Sequence, residues 1–151
     1  MAKFKIIPYD KSHGDDIIEF GMNDKLMEID ASYTENRLDM AIPGLSYTLL
    51  VDNIPVLAGG VYPLWDGVAE GWVLSSKRIL NYKIKAAGSV KKRLDLICIN
   101  NNIWRLQTSV KEGFHTGVRF AEWLGLKKEG LMQKYGPDGT NYFRMAKIYE
   151  L

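Results

Sequence analysis

The stretch Val68–Leu94, VAEGWVLSSKRILNYKIKAAGSVKKRL, decides how the rest of the chain is read. Val68 to Leu74 is β-rich and reads as a strand. Ser75-Ser76 follows and can cap a helix. Leu80, Ile84 and Ala87 then recur at helical spacing, as do Val90, Leu94, Ile97 and Cys98. Gly88 stands between the two groups and predicts a break. From Gly71 to Leu94 the stretch carries Lys77, Arg78, Lys83, Lys85, Lys91, Lys92 and Arg93 and no acid. A strand therefore leads into a strongly basic helical segment, a setting for an anionic partner.

Toward the N-terminus, Lys3-Phe4-Lys5-Ile6 alternates and predicts a first strand ending near Pro8. Ser12 with Asp15 resembles a capping box. Ile18, Met22, Leu26 and Ile29 predict an amphipathic helix over 13–30. Ser32 with Glu35 offers a second cap, for a short helix reaching Ala41 that Pro43-Gly44 stops. Tyr47–Val51 and Val56–Val61 read as strands around an Asp52-Asn53 turn, and Val68–Leu74 completes the meander. Toward the C-terminus, Asn100-Asn101-Asn102 ends the basic helix. Ile103–Val110 reads as a strand, and Thr116–Leu124 as a helix closed by Gly125. Leu126–Tyr135 and Tyr142–Tyr149 read as strands joined by Gly136-Pro137-Asp138-Gly139, a hairpin signal.

The 151 residues suit one domain, about 100–150 residues being typical. With 46% apolar and 25% charged residues the chain reads as globular and ordered. No apolar run approaches the roughly 20 residues of a membrane-spanning helix. Met1–Ile6 goes straight into alternation without the apolar core of a signal peptide, so export is not expected. Cys98 is the only cysteine, which excludes an intrachain disulfide and a cysteine-based zinc site. His13 and His115 are too few for a metal cluster. The net charge is +2, but residues 1–70 hold 12 acids and 5 bases, whereas 71–151 hold 6 acids and 15 bases. That asymmetry has two readings: an anionic partner on the second half, or two halves that neutralise each other on folding.

The order β-α-α-β-β-β-α-β-α-β-β indicates an α/β fold with a single central mixed sheet flanked by helices. It resembles the GNAT fold of acetyl-CoA-dependent N-acetyltransferases, and the likeness spans 1–151 as one GNAT-like acetyltransferase domain. Two places in the sequence carry it. Gly59-Gly60 followed by Glu70-Gly71-Trp72-Val73-Leu74 resembles the family's central strand region. Arg119–Leu126, RFAEWLGL, resembles its late helix and the turn after it. The ordered set most resembles the small GNAT-like proteins of tailed bacteriophages, including the internal virion protein A group of short-tailed phages.

The resemblance implies acetyl-CoA as cofactor. The family usually carries Gln/Arg-x-x-Gly-x-Gly/Ala after the central strand, where backbone N–H groups close on a pyrophosphate at a helix N-terminus. Here Arg78-Ile79-Leu80-Asn81-Tyr82-Lys83 keeps the arginine and puts Asn81 at the first glycine, while Lys83–Gly88 keeps only the final glycine. The cofactor-binding residues implied are Trp72, Val73, Leu74, Ser75, Ser76, Lys77, Arg78, Asn81, Lys83 and Gly88. Ser109, with Thr108, is added from the strand that by resemblance splays to admit the pantetheine arm; the alternative is that both are plain sheet residues. The family's tyrosine general acid lies four residues before the late glycine, a position held here by Ala121.

Glu70 is the candidate catalytic base, because a carboxylate on the central strand can take a proton from an amine; the alternative is a salt-bridge partner or an exposed strand residue. His115 is the second catalytic candidate, an imidazole that could replace the missing acid; the alternative is helix capping or simple exposure. Tyr135, Tyr142 and Tyr149 could also supply an acid or pack the sheet. Trp65, Trp72, Trp104 and Trp123 are expected in the core, and Cys98 as a buried small hydrophobe. Asp15, Asp16, Glu19, Asp24, Glu28 and Asp30 lie on the first helix, as an amine-attracting surface or a solvated face.

Two functions follow. One is acetyl transfer from acetyl-CoA to a primary amine on a small molecule or protein, in the cytoplasm, or in a host cytoplasm if the chain is phage-encoded. The other is a non-catalytic GNAT-fold phage protein acting in the virion, its assembly or host takeover, with phage structural proteins or a second copy as partners. No membrane partner is expected. The basic stretch argues weakly for nucleic acid, since Tyr82 is its one aromatic for base stacking.

Overall fold

The computed structural model describes residues 1–20 and 41–150. Most of the expected first helix beyond Phe20, with Asp24, Glu28 and Asp30, and nearly all of the expected short helix after Ser32 lie outside the described residues. Among the described residues, seven strands form one mixed sheet in the order β1-β2-β3-β4-β5-β7-β6. These are β1 (Phe4–Pro8), β2 (Ser46–Val51), β3 (Ile54–Trp65), β4 (Val68–Ser75), β5 (Arg105–Lys111), β6 (Lys127–Met132) and β7 (Tyr142–Ile148). Neighbours are antiparallel except β4 and β5, which run parallel.

Three helices among the described residues cover the sheet: α1 (Lys11–Phe20), α2 (Lys83–Asn100) and α3 (His115–Trp123). On one face, α2 and α3 bury Val90, Leu94, Ile97, Cys98, Val118 and Ala121 against Leu49, Leu57, Val61, Ala69, Leu106 and Met145. Each large side chain so buried contributes about 1.5–3 kcal/mol. On the other face, Ile17 of α1 packs with Ala58, Trp72 and Leu74. Period-2 alternation sends neighbouring residues of β4 to opposite faces: Ala69 and Val73 toward α2, and Glu70, Trp72 and Leu74 toward α1.

Several details differ from the expectation. The α1 cap is Asp10, two residues before Ser12. Its carboxylate accepts the Ser12 main-chain N–H at 2.9 Å and also the Ser12 hydroxyl. Those bonds hold Asp10 below the ordinary carboxylate range. A charged acceptor outcompetes a hydroxyl at a helix start. Gly88 does not break α2; it is exposed, with open space where a Cβ would stand, and costs about 1 kcal/mol relative to Ala.

Only one of the four tryptophans belongs to the core. Trp72 is 2% exposed, whereas Trp65 is 68% and Trp104 and Trp123 are each 49% exposed. Trp104 lies against Gly67 at the base of the sheet, and Trp123 lies under the Lys91 ammonium. Gly136–Gly139 falls inside a longer connection over 133–141, where Asp138 accepts from the Thr140 N–H and hydroxyl.

The end of β7 is latched to α2. The Tyr149 hydroxyl donates to Asp95 Oδ1 at 2.7 Å, and Lys147 Nζ reaches the same oxygen at 3.0 Å. Burial first, and then the Asp95 carboxylate, push the Tyr149 phenol above its ordinary value. Burial pushes the neighbouring Cys98 thiol up to about 11.

Candidate active site

β4 is paired differently along its two edges. Toward β3 its register runs from Val68↔Trp65 to Ser75↔Leu57. Toward β5 it covers only Val68↔Arg105, Ala69↔Leu106 and Glu70↔Gln107. The Thr108 hydroxyl then donates to the Gly71 carbonyl at 3.2 Å, and the strands part.

The direction of the freed backbone groups follows from the ladder. The Ser76 N–H bonds the Val56 carbonyl, on the β3 side, whereas the Gly71 carbonyl faces β5. Successive residues point to opposite edges, so the N–H and C=O of Val73 and Ser75 share Gly71's direction and face the gap. β5 meanwhile stays paired with β7 from Arg105↔Ile148 to Lys111↔Tyr142. The gap is a wedge with β4 on one side and β5, fixed by β7, on the other.

At the apex of the wedge, on the face that carries α1, stands Glu70. Its side chain is 12% exposed. Oε2 accepts from Gln107 Nε2 at 3.2 Å and from Arg144 Nη1 at 3.2 Å. Oε1 makes no hydrogen bond among the described residues and can take another donor. Two residues further along β5, on Glu70's face, Ser109 has a buried hydroxyl oxygen without a hydrogen-bond partner. Trp72, two residues beyond Glu70 on β4, has a buried and unpartnered Nε1, and its ring meets Tyr9 edge-on at 5.3 Å. Beyond the apex, Arg105 grips Glu129 with both terminal nitrogens, at 2.9 and 2.6 Å. Those bonds hold the Glu129 carboxyl below its usual range.

The junction between β4 and α2 is a 3-10 turn over Lys77–Asn81. Ser76 is fully buried, and its hydroxyl accepts from the Arg78 N–H at 3.2 Å. The Ile79 N–H bonds Ser76 O, and the Tyr82 N–H bonds Ile79 O. Asn81 is exposed and is not among the residues with positive φ. Arg78 turns away from the junction: Nη1 pairs with Asp16 at 2.7 Å and with the Pro55 carbonyl at 3.0 Å, and its guanidinium covers the Phe20 ring at 3.8 Å. What remains for an anion is the first turn of α2, which has no side-chain cap or acid, and the exposed Lys77 and Lys83.

The structure thus brings Glu70, Val73, Ser75 and Ser109 to one wedge. Leu74 is buried under α1, and Ser76 and Arg78 serve the fold around the junction. Gly88 lies within α2, beyond its first turn. His115 opens α3, whose packing is on the opposite face from Glu70; it is exposed and its ring makes no hydrogen bond among the described residues. Ala121 is buried in the main core. Tyr149 is committed to Asp95, Tyr135 is exposed, and Tyr142 is buried on Glu70's face of β7.

Gln107 and Arg144, which fix Glu70, escaped the sequence reading. The available signal was Arg144 at alternate spacing between Tyr142 and Ala146, a charge on an inward-facing row. Two ion pairs, Arg78–Asp16 and Arg144–Glu70, join a base of the second half to an acid of the first. Part of the charge asymmetry is therefore neutralised internally. No group of side chains among the described residues could hold a metal ion, and no helix among them is long and apolar enough to cross a membrane.

No family model and no curated protein matches the sequence. Solved structures do match the fold. Ard1 from Thermoplasma volcanium superposes with a TM-score of 0.79 at 15% identity, covering 98% of this chain and 99% of that one. A GNAT-family acetyltransferase from Bacillus anthracis gives 0.72 at 13% identity, covering 98% and 96%. The yncA protein from Salmonella typhimurium, solved with its cofactor acetyl-CoA, gives 0.71 at 13% identity, covering 97% and 94%. The chain therefore has the fold of the GNAT acetyltransferases.

Proposed function

We propose that this protein transfers an acetyl group from acetyl-CoA to a primary amine, with the wedge between β4 and β5 as its active centre. The observation that carries this reading is the open edge of β4 beside Glu70. Val73 and Ser75 present a strand's worth of main-chain donors and acceptors to a gap. A pantetheine arm, with its two amides, has the chemistry to complete that edge as an added strand would. The buried Ser109 hydroxyl offers it one further bond.

The fit is weaker at the diphosphate. The junction spends its amides on its own turn, and Arg78 is held by Asp16. Charge from Lys77 and Lys83 and the uncapped start of α2 would hold the phosphates there, with less geometric precision than a glycine cradle.

Acetyl-CoA supplies the acyl group as a thioester. Glu70 orients the incoming amine and takes its proton at Oε1, while Gln107 and Arg144 hold Oε2 and fix the carboxylate's position. A Val73 N–H facing the gap is the donor for the carbonyl oxygen as it gains charge. Ala121 stands at the sequence position of the family's tyrosine acid and is buried in the core, so the departing thiolate takes its proton from water or from a buried hydroxyl of the wedge.

The test is calorimetric titration with acetyl-CoA, followed by measurement of free thiol with a panel of primary amines. Saturable binding and amine-dependent CoA release support the reading; absence of binding sinks it.

A second reading rests on the closed junction and on Ala121: the fold serves as a non-catalytic module, in a phage particle or its assembly. The phage assignment itself rests on sequence resemblance. Mass spectrometry of purified virions, with no CoA release by the isolated protein, would favour this reading.

A further inference from the structure

Two ion pairs on Glu70's face of the sheet differ in how far each is closed. Arg105 holds Glu129 with both terminal nitrogens, at 2.9 and 2.6 Å, so each partner is spent on the other. Arg144 stands opposite Ser109 in the ladder between β5 and β7, and its guanidinium reaches across β5 to Glu70 at the seam. There the contact is a single bond of 3.2 Å from Nη1 to Oε2, long for a charged pair. Arg144 Nε and Nη2 and Glu70 Oε1 make no hydrogen bond among the described residues. Neither side chain is sealed from solvent, Arg144 being 22% and Glu70 12% exposed. The apex of the wedge thus presents an unspent carboxylate oxygen beside unspent guanidinium N–H groups.

We propose that the acceptor amine is an α-amino acid, its ammonium held by Glu70 Oε1 and its carboxylate by the free N–H groups of Arg144. The inference rests on acetyl transfer at the wedge for its chemistry, but the binding it describes is measurable by itself. The two free groups belong to one ion pair and stand side by side, so the ligand's charges must be close, as they are on a single α-carbon. Glu70, Glu129, Arg105 and Arg144 sum to zero charge, which suits a zwitterion with no net charge. A diamine would bring its second cation against Arg144, and a simple amine would leave the guanidinium donors unmatched. Held at both ends, the amine is oriented as well as bound. In the transfer Glu70 takes one proton from the ammonium and passes it to water. The neutral nitrogen then bonds the acetyl carbon as the C–S bond breaks. Its second proton goes to water, and water protonates the thiolate, leaving an N-acetyl-amino acid and CoA.

The test has two arms, both on the full chain. Glycine, glycinamide and γ-aminobutyrate are titrated without and with CoA, followed by NMR of the Gln107 side-chain amide, which donates to Glu70. CoA release from acetyl-CoA is then measured with the same three acceptors. Expected is a saturable shift with glycine, which should be preferred about tenfold or more over glycinamide, which lacks the carboxylate, and over γ-aminobutyrate, whose charges are too far apart. Arg144→Gln should remove most of the preference over glycinamide. The ratio is the readout, because losing Arg144 also loosens Glu70. Arg144→Lys, which keeps the charge but not the fork of donors, should keep part of the preference and serves if the glutamine variant fails to fold. Glycine binding that depends on Arg144 without CoA release upholds the amino-acid site and sinks the transfer. CoA release that ignores the carboxylate, or a preference unchanged in both variants, overturns the amino-acid site and leaves the transfer standing. Neither binding nor release sinks both.

Discussion

The two edges of β4 have opposite fates. Against β3 the strand pairs through eight registered positions; against β5 it pairs through three. One backbone therefore serves as scaffold on one side and as open hydrogen-bonding surface on the other. Both strands are tied on their outer edges, β4 to β3 through eight positions and β5 to β7 through seven, and the twist of the sheet carries the two parallel strands apart beyond Glu70 and Gln107. The candidate site lies where pairing stops, and backbone groups left unpaired inside a protein demand a partner.

The largest expected effect tests the open edge. Glu70→Gln keeps the shape of the side chain and removes its capacity to accept a proton. Turnover of acetyl-CoA with an amine should fall about 10²–10⁴-fold while acetyl-CoA binding persists. Unchanged turnover would make the wedge a groove without chemistry.

Next comes the closed part of the seam. Leu106 is 2% exposed and packs directly behind it. Leu106→Ala should cost about 2–5 kcal/mol in urea unfolding, the range for a leucine cavity. A smaller loss would mean that β5 draws its position from β7 alone.

The hinge between the two parts should respond more mildly. Thr108→Val removes the bond to the Gly71 carbonyl and should cost about 1 kcal/mol. It should also alter the KM for acetyl-CoA, because the bond marks where the gap begins. An unaltered KM would detach the hinge from the site.

The smallest effect is one of pH. Glu129, whose partner Arg105 pairs at the foot of the seam, has its folded value depressed below 4.5 by that pairing. The unfolded chain then binds the proton more readily. The stabilisation is present above pH 4.5 and is lost as pH falls through the folded value. Thermal melts on either side of that pH should show a modest drop on the acid side, abolished in Glu129→Gln. The pair is exposed, so salt should reduce the effect.

The element order was largely legible because its signals are local. Phe4 and Ile6 alternate in β1, Gly125 takes a positive φ of 102° where α3 ends, and Val90, Leu94 and Ile97 recur at helical spacing. Glu70 was legible as a candidate because its strand was. The tryptophans were misjudged because size alone does not bury a ring: Trp65 and Trp104 occupy the rim of the sheet, where no helix among the described residues covers them. The family resemblance implied Arg78 as a phosphate ligand. Its ion-pair partner in the structure, Asp16, is distant in sequence and comes near only when α1 lies across the sheet.

By itself the sequence determined the strands, the basic helix after Leu74 and a carboxylate on the central strand, all of which are set by periodicity and residue chemistry within a few neighbours. Tertiary structure alone decided which edge of β4 stays open, which bases find acids, and that Gln107 and Arg144 converge on one oxygen of Glu70. Those outcomes depend on strand order and sheet twist, which bring together residues far apart along the chain.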